Sequence, residues 1–166
     1  MVIIGIDPGC SGAVVVYHYL TGTIDFLLMP TVENGKSTRV NGLAIREFLV
    51  ETCRSYKQDE IHVFMERVSA IRKEGRMQGG TSMFTFGHAA GIAEGVLAGL
   101  GLSVTLVMPA VWKRHCGLLK QEKDASRLLC LNFYPGLPEL KKKGKGQAIS
   151  DALLIARYGV DMLTAR

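Results

Sequence analysis

The sequence predicts an α/β fold: a mixed five-stranded sheet, an antiparallel meander followed by parallel strands, flanked by helices. Three observations lead there. The runs 2–6 and 61–65 are apolar and rich in β-branched residues without polar alternation, the pattern of strands covered on both faces. Turn residues at 8–12 and 21–22 bring the chain back over short spans, as antiparallel neighbours require. Helical spacing then recurs over 39–55, 81–100, 122–134 and 148–158, in stretches long enough to cover a sheet. With 166 residues, the chain reads as a single domain, 1–166, with a substantial core.

Taken in order, the first strand ends at Asp7, and Pro8 and Gly9 stop or bend it. Residues 13–19 resume a strand, Gly22 and Thr23 turn the chain, and a third strand over 24–29 ends at Pro30. The polar, glycine-containing stretch 31–38 reads as a loop. Val40, Leu43, Ala44, Phe48, Leu49 and Cys53 recur at helical spacing, so 39–55 is an amphipathic helix capped by Asn41 or Ser37. The strand 61–66 ends in a second acid, Glu66, at the position corresponding to Asp7. Residues 67–81, basic and rich in glycine, read as a flexible substrate-contacting loop.

The helix over 81–100, capped by Thr81 or Ser82, carries Gly87, Gly91, Gly95 and Gly99 at every fourth position. Each internal glycine weakens a helix by ~1 kcal/mol relative to alanine. Such a ridge implies close backbone approach, chiefly within the fold, with a dimer contact nearby as an addition. Residues 103–107 form the fifth strand, Pro109 opens a short helix, and Trp112 reads as a core residue. Next, 122–134 reads as a helix with Lys123 and Arg127 on one face, and 135–146 as a linker. The last helix, 148–158, carries Asp151 in its first turn and ends at Gly159 as a C-cap.

No apolar run approaches the roughly 20 residues of a membrane span, and the first residues form a strand, so a cytoplasmic protein with no membrane partner is expected. Cys10, Cys53, Cys116 and Cys130 lack disulfide or zinc spacing and are expected to be reduced thiols. The formal charge is +5, and the positive residues cluster. Arg67, Arg72, Lys73 and Arg76 form one group; Lys113, Arg114, Lys120, Lys123 and Arg127 a second; Lys141, Lys142, Lys143 and Lys145 a third. Each alone fits a solvated face; together they favour a nucleic-acid backbone.

Asp7, Glu66 and Asp151 are the candidate metal ligands. An acid at the end of a buried strand either caps its own turn or serves a cation, a metal or a titrating partner. Hard oxygens from separate rigid elements suit magnesium, with water and phosphate oxygens completing its shell. His18, His62, His88 and His115 show no ligand spacing, though His88 and His115 could approach a substrate.

These residues also carry a resemblance. Ile-Gly-Ile-Asp-Pro-Gly-x-Ser-Gly at 4–12, Met-Glu-Arg-Val at 65–68 and Ile-Ser-Asp-Ala-Leu-Leu-Ile-Ala at 149–156 resemble the three acidic motifs of RuvC-type Holliday-junction resolvases. Thr-Ser-Met-Phe-Thr-Phe-Gly at 81–87, Gly-Ile-Ala-Glu-Gly-Val-Leu at 91–97, Pro-Ala-Val-Trp-Lys at 109–113 and Lys-Asp-Ala-Ser-Arg at 123–127 are similar to the bacteriophage and organellar branch. The resemblance implies a ribonuclease H-like fold and a homodimer that places two sites on a four-way junction and nicks it symmetrically, with branched DNA, four-way junctions above all, as its partner. It further implies two-metal-ion hydrolysis with magnesium, or manganese in its place, leaving a 5′-phosphate and a 3′-hydroxyl. Asp7 would then be the central ligand, Glu66 and Asp151 would complete the sites, and Lys120 and Lys123 would stabilise charge on the phosphate, Lys123 as the catalytic one. The implied setting is the nucleoid of a bacterium or phage-infected cell, or an organelle.

The chain departs from that pattern twice. Where the family has an Asp or His three or four positions before its last acid, this sequence has Ala148 and Gln147, so one of two metal positions is expected to be weak, with Lys145 as a substitute cation. The segment 67–80 lacks an aromatic wedge, leaving Ile71 or Met77 to separate bases at the junction. A junction-binding protein with impaired catalysis is thus one alternative, and a YqgF-type nuclease of the same fold another. Trp112-Lys113 and the 123–127 stretch favour the phage-like resolvases. An actin-like or sugar-kinase-like ATPase shares the opening motif but needs a second such domain.

Overall fold

In the computed structural model, residues 1–35, 37–69, 72–73, 76–77 and 79–165 are described, with the backbone alone at 34, 37, 72, 73, 76 and 77. The central sheet runs β3 (Thr23–Leu28), β2 (Ala13–His18), β1 (Val2–Asp7), β6 (Ile61–Glu66), β9 (Val104–Val107). β1 pairs antiparallel with β2, placing Asp7 opposite Ala13, and parallel with β6, placing Ile6 opposite Met65. β9 adds to the far side of β6 in parallel. The expected five-stranded mixed sheet is present, with meander and parallel half joined at β1.

Both faces of β1 are covered, which explains its unbroken apolar run. Val2, Ile4 and Ile6 pack with Ile45, Leu49, Ala93 and Leu97 of the helices α1 (Gly42–Cys53) and α2 (Gly80–Gly99). Ile3 points the other way, into a core with Ile149, Ala152, Leu153 and Ala156 of α5 (Lys143–Thr164). The short helices α3 (Pro109–His115) and α4 (Ala125–Phe133) complete that second layer through Trp112 and Cys130. All four cysteines are unpaired, and among the described residues no helix is long and apolar enough to cross a membrane.

Several expectations are corrected. The stretch 31–38 is no loop: β4 (Thr31–Asn34) and β5 (Ser37–Val40) form a hairpin around Gly35, whose φ of 62° a side chain would strain. Asn41, not Ser37, caps α1, its Oδ1 accepting the Ala44 N–H at 3.3 Å. Within 67–81, β7 (Arg72–Lys73) and β8 (Arg76–Met77) pair antiparallel, and α2 starts at Gly80 with Gly79 as its cap. Among the described residues, a Cβ added at Gly87, Gly91, Gly95 or Gly99 would meet nothing within 4 Å, so that ridge packs against none of them.

The largest correction is α5, which starts at Lys143 within the supposed linker and continues past Gly159 to Thr164. Gly146 and Gly159 are there for close approach. A Cβ at Gly146 would sit 2.6 Å from the Leu140 carbonyl oxygen, and one at Gly159 would press on the Phe64 ring. Gly5 plays the same part in β1: a Cβ there would overlap the Ala152 carbonyl and lie 2.6 Å from the Ala156 nitrogen. The strand carrying Asp7 and the helix carrying Asp151 therefore touch backbone to backbone.

Candidate active site

Asp7 and Glu66 end adjacent parallel strands, so β1–β6 pairing alone brings the two carboxylates to the same edge. The turn after β1 is drawn tight by the Gly12 N–H on the Gly9 carbonyl at 2.8 Å. Gly12 lies so close beneath Asp7 that a Cβ would come within 2.8 Å of its carboxyl carbon. Asp7 accepts the Gly9 N–H at 3.3 Å. The turn-capping role and the site role thus coincide in one side chain. Burial pushes the Asp7 carboxyl up to about 6; the Gly9 N–H opposes the rise and the Asp151 charge adds to it.

Glu66 is also half-buried, and burial pushes it up to about 7. The Trp112 indole opposes that rise, donating Nε1–H to Glu66 Oε2 at 2.7 Å, while Asp7 reinforces it and Lys113 counters it. Trp112 is the expected core residue, fully buried, and it also holds Glu66.

Asp151 projects from the third turn of α5 into a polar cluster. Ser126 donates its hydroxyl to Asp151 Oδ1 at 2.6 Å, and Gln147 Nε2 lies 3.1 Å from both carboxylate oxygens and also donates to Ser126. Gln147 Oε1 is buried with no hydrogen-bond partner among the described residues. Ala148, one residue on, is buried and lines the same space.

All three acids line one open cavity of about 790 Å³. Its walls include the 9–12 turn, Phe86 from the first turns of α2, Lys123 and Asp124 before α4, and Lys143, Gly144, Gln147 and Ala148 of α5. Among the described residues no three His, Cys, Asp or Glu side chains converge into a finished metal cage. The acids are spread around the wall and act on one another through space. The donors nevertheless suit a hard cation: they are oxygens from three rigid elements, crowded enough to repel, beside an unpartnered amide oxygen.

The expected cations separate into groups. Lys123 and Lys143 line the cavity, and Lys113 acts on both Asp7 and Glu66. Lys120 does not line it; it is exposed in a tight turn with φ 63°. Arg67, Arg114, Lys141, Lys142 and Lys145 are exposed on the surface. Arg127, expected to face DNA, is instead 8% exposed and tied to Asp124 at 2.6 and 2.7 Å and to the Leu140 carbonyl at 3.1 Å. The side chains of Arg72, Lys73, Arg76 and Met77, and all of Ile71, lie outside the described residues. His115 pairs with Asp161 at 2.8 Å, nearly three turns further along α5 than Asp151. His88 stacks on Phe84 with ring centroids 5.9 Å apart.

Sequence reasoning missed Ser126, Phe86 and the clasp that Gln147 makes on Asp151. The spacing of Gln147 and Asp151, one helical turn apart, was a usable signal once α5 is known to start at Lys143. Ser126 carried none, because its contact crosses from α4 to α5.

No family model and no curated protein matches the sequence. Solved structures do match in shape. A Thermus thermophilus RuvC structure superposes with a TM-score of 0.55 at 19% identity, covering 100% of this chain and 99% of that one. A structure of T. thermophilus RuvC in complex with a Holliday junction substrate gives a TM-score of 0.57 at 18% identity, covering 99% of this chain and 96% of that one. In fold, the chain is a RuvC-like α/β domain of the ribonuclease H type.

Proposed function

We propose that this chain is an endodeoxyribonuclease that binds four-way DNA junctions as a homodimer and nicks them symmetrically, with magnesium or manganese held by Asp7, Glu66 and Asp151. The observation that carries the reading is the convergence of these three carboxylates, from β1, β6 and α5, on one open cavity edged by lysines. It is supported by the match to RuvC, which has been solved with a Holliday junction.

When bound, such ions activate water and neutralise charge on the phosphate. The chain's residues prepare for that. Asp7 and Glu66, raised by burial toward neutrality, release protons as a cation binds. Trp112 fixes Glu66, and Ser126 with Gln147 fixes Asp151, so that ligand orientation does not depend on the substrate. Lys123 and Lys143 stand where a phosphate oxygen entering from solvent meets them, and Lys113 offsets the charge of Asp7 and Glu66. The exposed lysines at 141, 142 and 145 extend that positive surface along α5 for neighbouring phosphates. The glycine ridge of α2, exposed and with no neighbour among the described residues, is the proposed dimer face.

A synthetic four-way junction, incubated with the protein in magnesium, tests the reading. Paired nicks in opposing strands are expected, with no cleavage of a linear duplex and none by Asp7→Asn. A second reading, a junction-binding protein without efficient cleavage, is favoured by Gln147 and Ala148 standing beside Asp151 where further acids would strengthen a metal site. Tight junction binding without nicking by the parent protein, in magnesium and in manganese, would select it.

A further inference from the structure

Gln147 has one end too well bonded and the other not bonded at all. Its amide nitrogen covers both oxygens of Asp151 and the Ser126 hydroxyl. Its amide oxygen is buried without a partner among the described residues. A buried carbonyl left unpaired forfeits its hydrogen bonds to water without replacement, so the arrangement is an unfinished one. The residue lines the same cavity as Asp7, Glu66 and Asp151. In that cavity the N–H groups occupy both carboxylate oxygens of Asp151, the same atoms a cation would need.

We propose that Gln147 is a cation-responsive ligand: when a divalent cation binds Asp151, the Gln147 amide turns over about its last side-chain bond and presents Oε1 to the ion. One rotation converts a donor that caps the carboxylate into a neutral oxygen beside it. The exchange removes the competition between amide N–H and cation for the same lone pairs. It also gives the chain a fourth oxygen without adding a fourth negative charge to a cavity where Asp7 and Glu66 already repel. The inference rests on the metal-dependent reading above and names a ligand within it.

The opposite role, a fixed cap that blocks the ion, predicts the opposite sign, which makes the proposal testable by binding alone. Manganese titration by calorimetry and by electron paramagnetic resonance would be run on the full chain, on Gln147→Met, which keeps length without a ligating oxygen, and on Gln147→Glu. Thermal melts would confirm that both variants fold. The ligand role predicts three- to tenfold weaker manganese binding for Gln147→Met and tighter binding for Gln147→Glu. Equal or tighter binding for Gln147→Met overturns it. In the unsubstituted protein, magnesium is expected to move the side-chain amide ¹⁵N resonance of Gln147, and an unmoved resonance at saturation also overturns it. Asp7→Asn separates the two levels. Manganese binding that is absent, or indifferent to Asp7→Asn, overturns the metal site as a whole; binding that depends on Asp7 but ignores Gln147 overturns only the present inference.

Discussion

Asp7 and Glu66 are held against their chemistry: each is a carboxylate half out of water, near two like charges, with a single hydrogen bond to compensate. Their folded values of about 6 and about 7 lie above the ordinary 3.8 and 4.5. Between roughly pH 4 and pH 7 the folded state therefore holds protons that the unfolded chain has lost. Stability of the metal-free protein is accordingly expected to fall as pH rises through that window, then level off. Asp7→Asn should flatten the profile and raise stability at pH 8 by about 1–3 kcal/mol. Urea denaturation across pH in a chelator checks both. Trp112→Phe keeps most of the buried ring and deletes the donor to Glu66. Because that bond holds the Glu66 value down, the variant should bind manganese about 10-fold more weakly. Its rate profile should shift to higher pH, readable in a nicking assay.

Glycines organise the elements in two opposite ways. Gly5 lets β1 and α5 meet backbone to backbone, which fixes Asp7 relative to Asp151. A methyl group there has nowhere to go, so Gly5→Ala is expected to cost about 2–4 kcal/mol, measured as a lowered melting temperature. On α2, Gly95 faces open space, and Gly95→Ala should stabilise an isolated subunit by up to about 1 kcal/mol through helix propensity. If the ridge is the dimer face, the same methyl group separates two close backbones. Light scattering should then show a weaker dimer while the subunit's melting temperature holds or rises. A dimer unaffected by Gly95→Ala and Gly91→Ala would move the interface elsewhere.

For the molecule as a whole, a net charge of +5 is modest, and its placement matters more than its size. If the chain binds junctions as proposed, positive groups at the cavity rim and at the start of α5 should make that binding salt-dependent. Replacing Lys143 by Ala should lower the slope of log affinity against log salt by about 1. Lys123→Ala should do the same and also slow cleavage, while Arg127→Ala should act mainly on stability, since that guanidinium is spent on Asp124 and Leu140. Fluorescence anisotropy with a labelled junction, over a salt series, distinguishes the three.

The sheet was legible in the sequence because its strands are long enough to carry a pattern, and because burial on both faces of β1 leaves an apolar run that nothing else resembles. Two acids closing two such runs pointed to Asp7 and Glu66 for the same reason: an isolated charge at the end of a buried strand is conspicuous. Local chemistry misled at Gly146 and Gly159, where glycine signals termination in sequence but serves close packing in space, and at the α2 ridge, which meets no neighbour among the described residues. Sequence by itself determined the meander and the parallel strands, which follow from periodicity and burial, and singled out three carboxylates that the fold brings to the wall of one cavity. Only the tertiary structure decided that Trp112 holds Glu66, that Ser126 and Gln147 hold Asp151, that Lys143 rather than Lys120 reaches the cavity and that Arg127 does not face it. Those contacts cross between elements, and a side chain's direction across such a gap is set by how helices seat on the sheet, which no local pattern encodes.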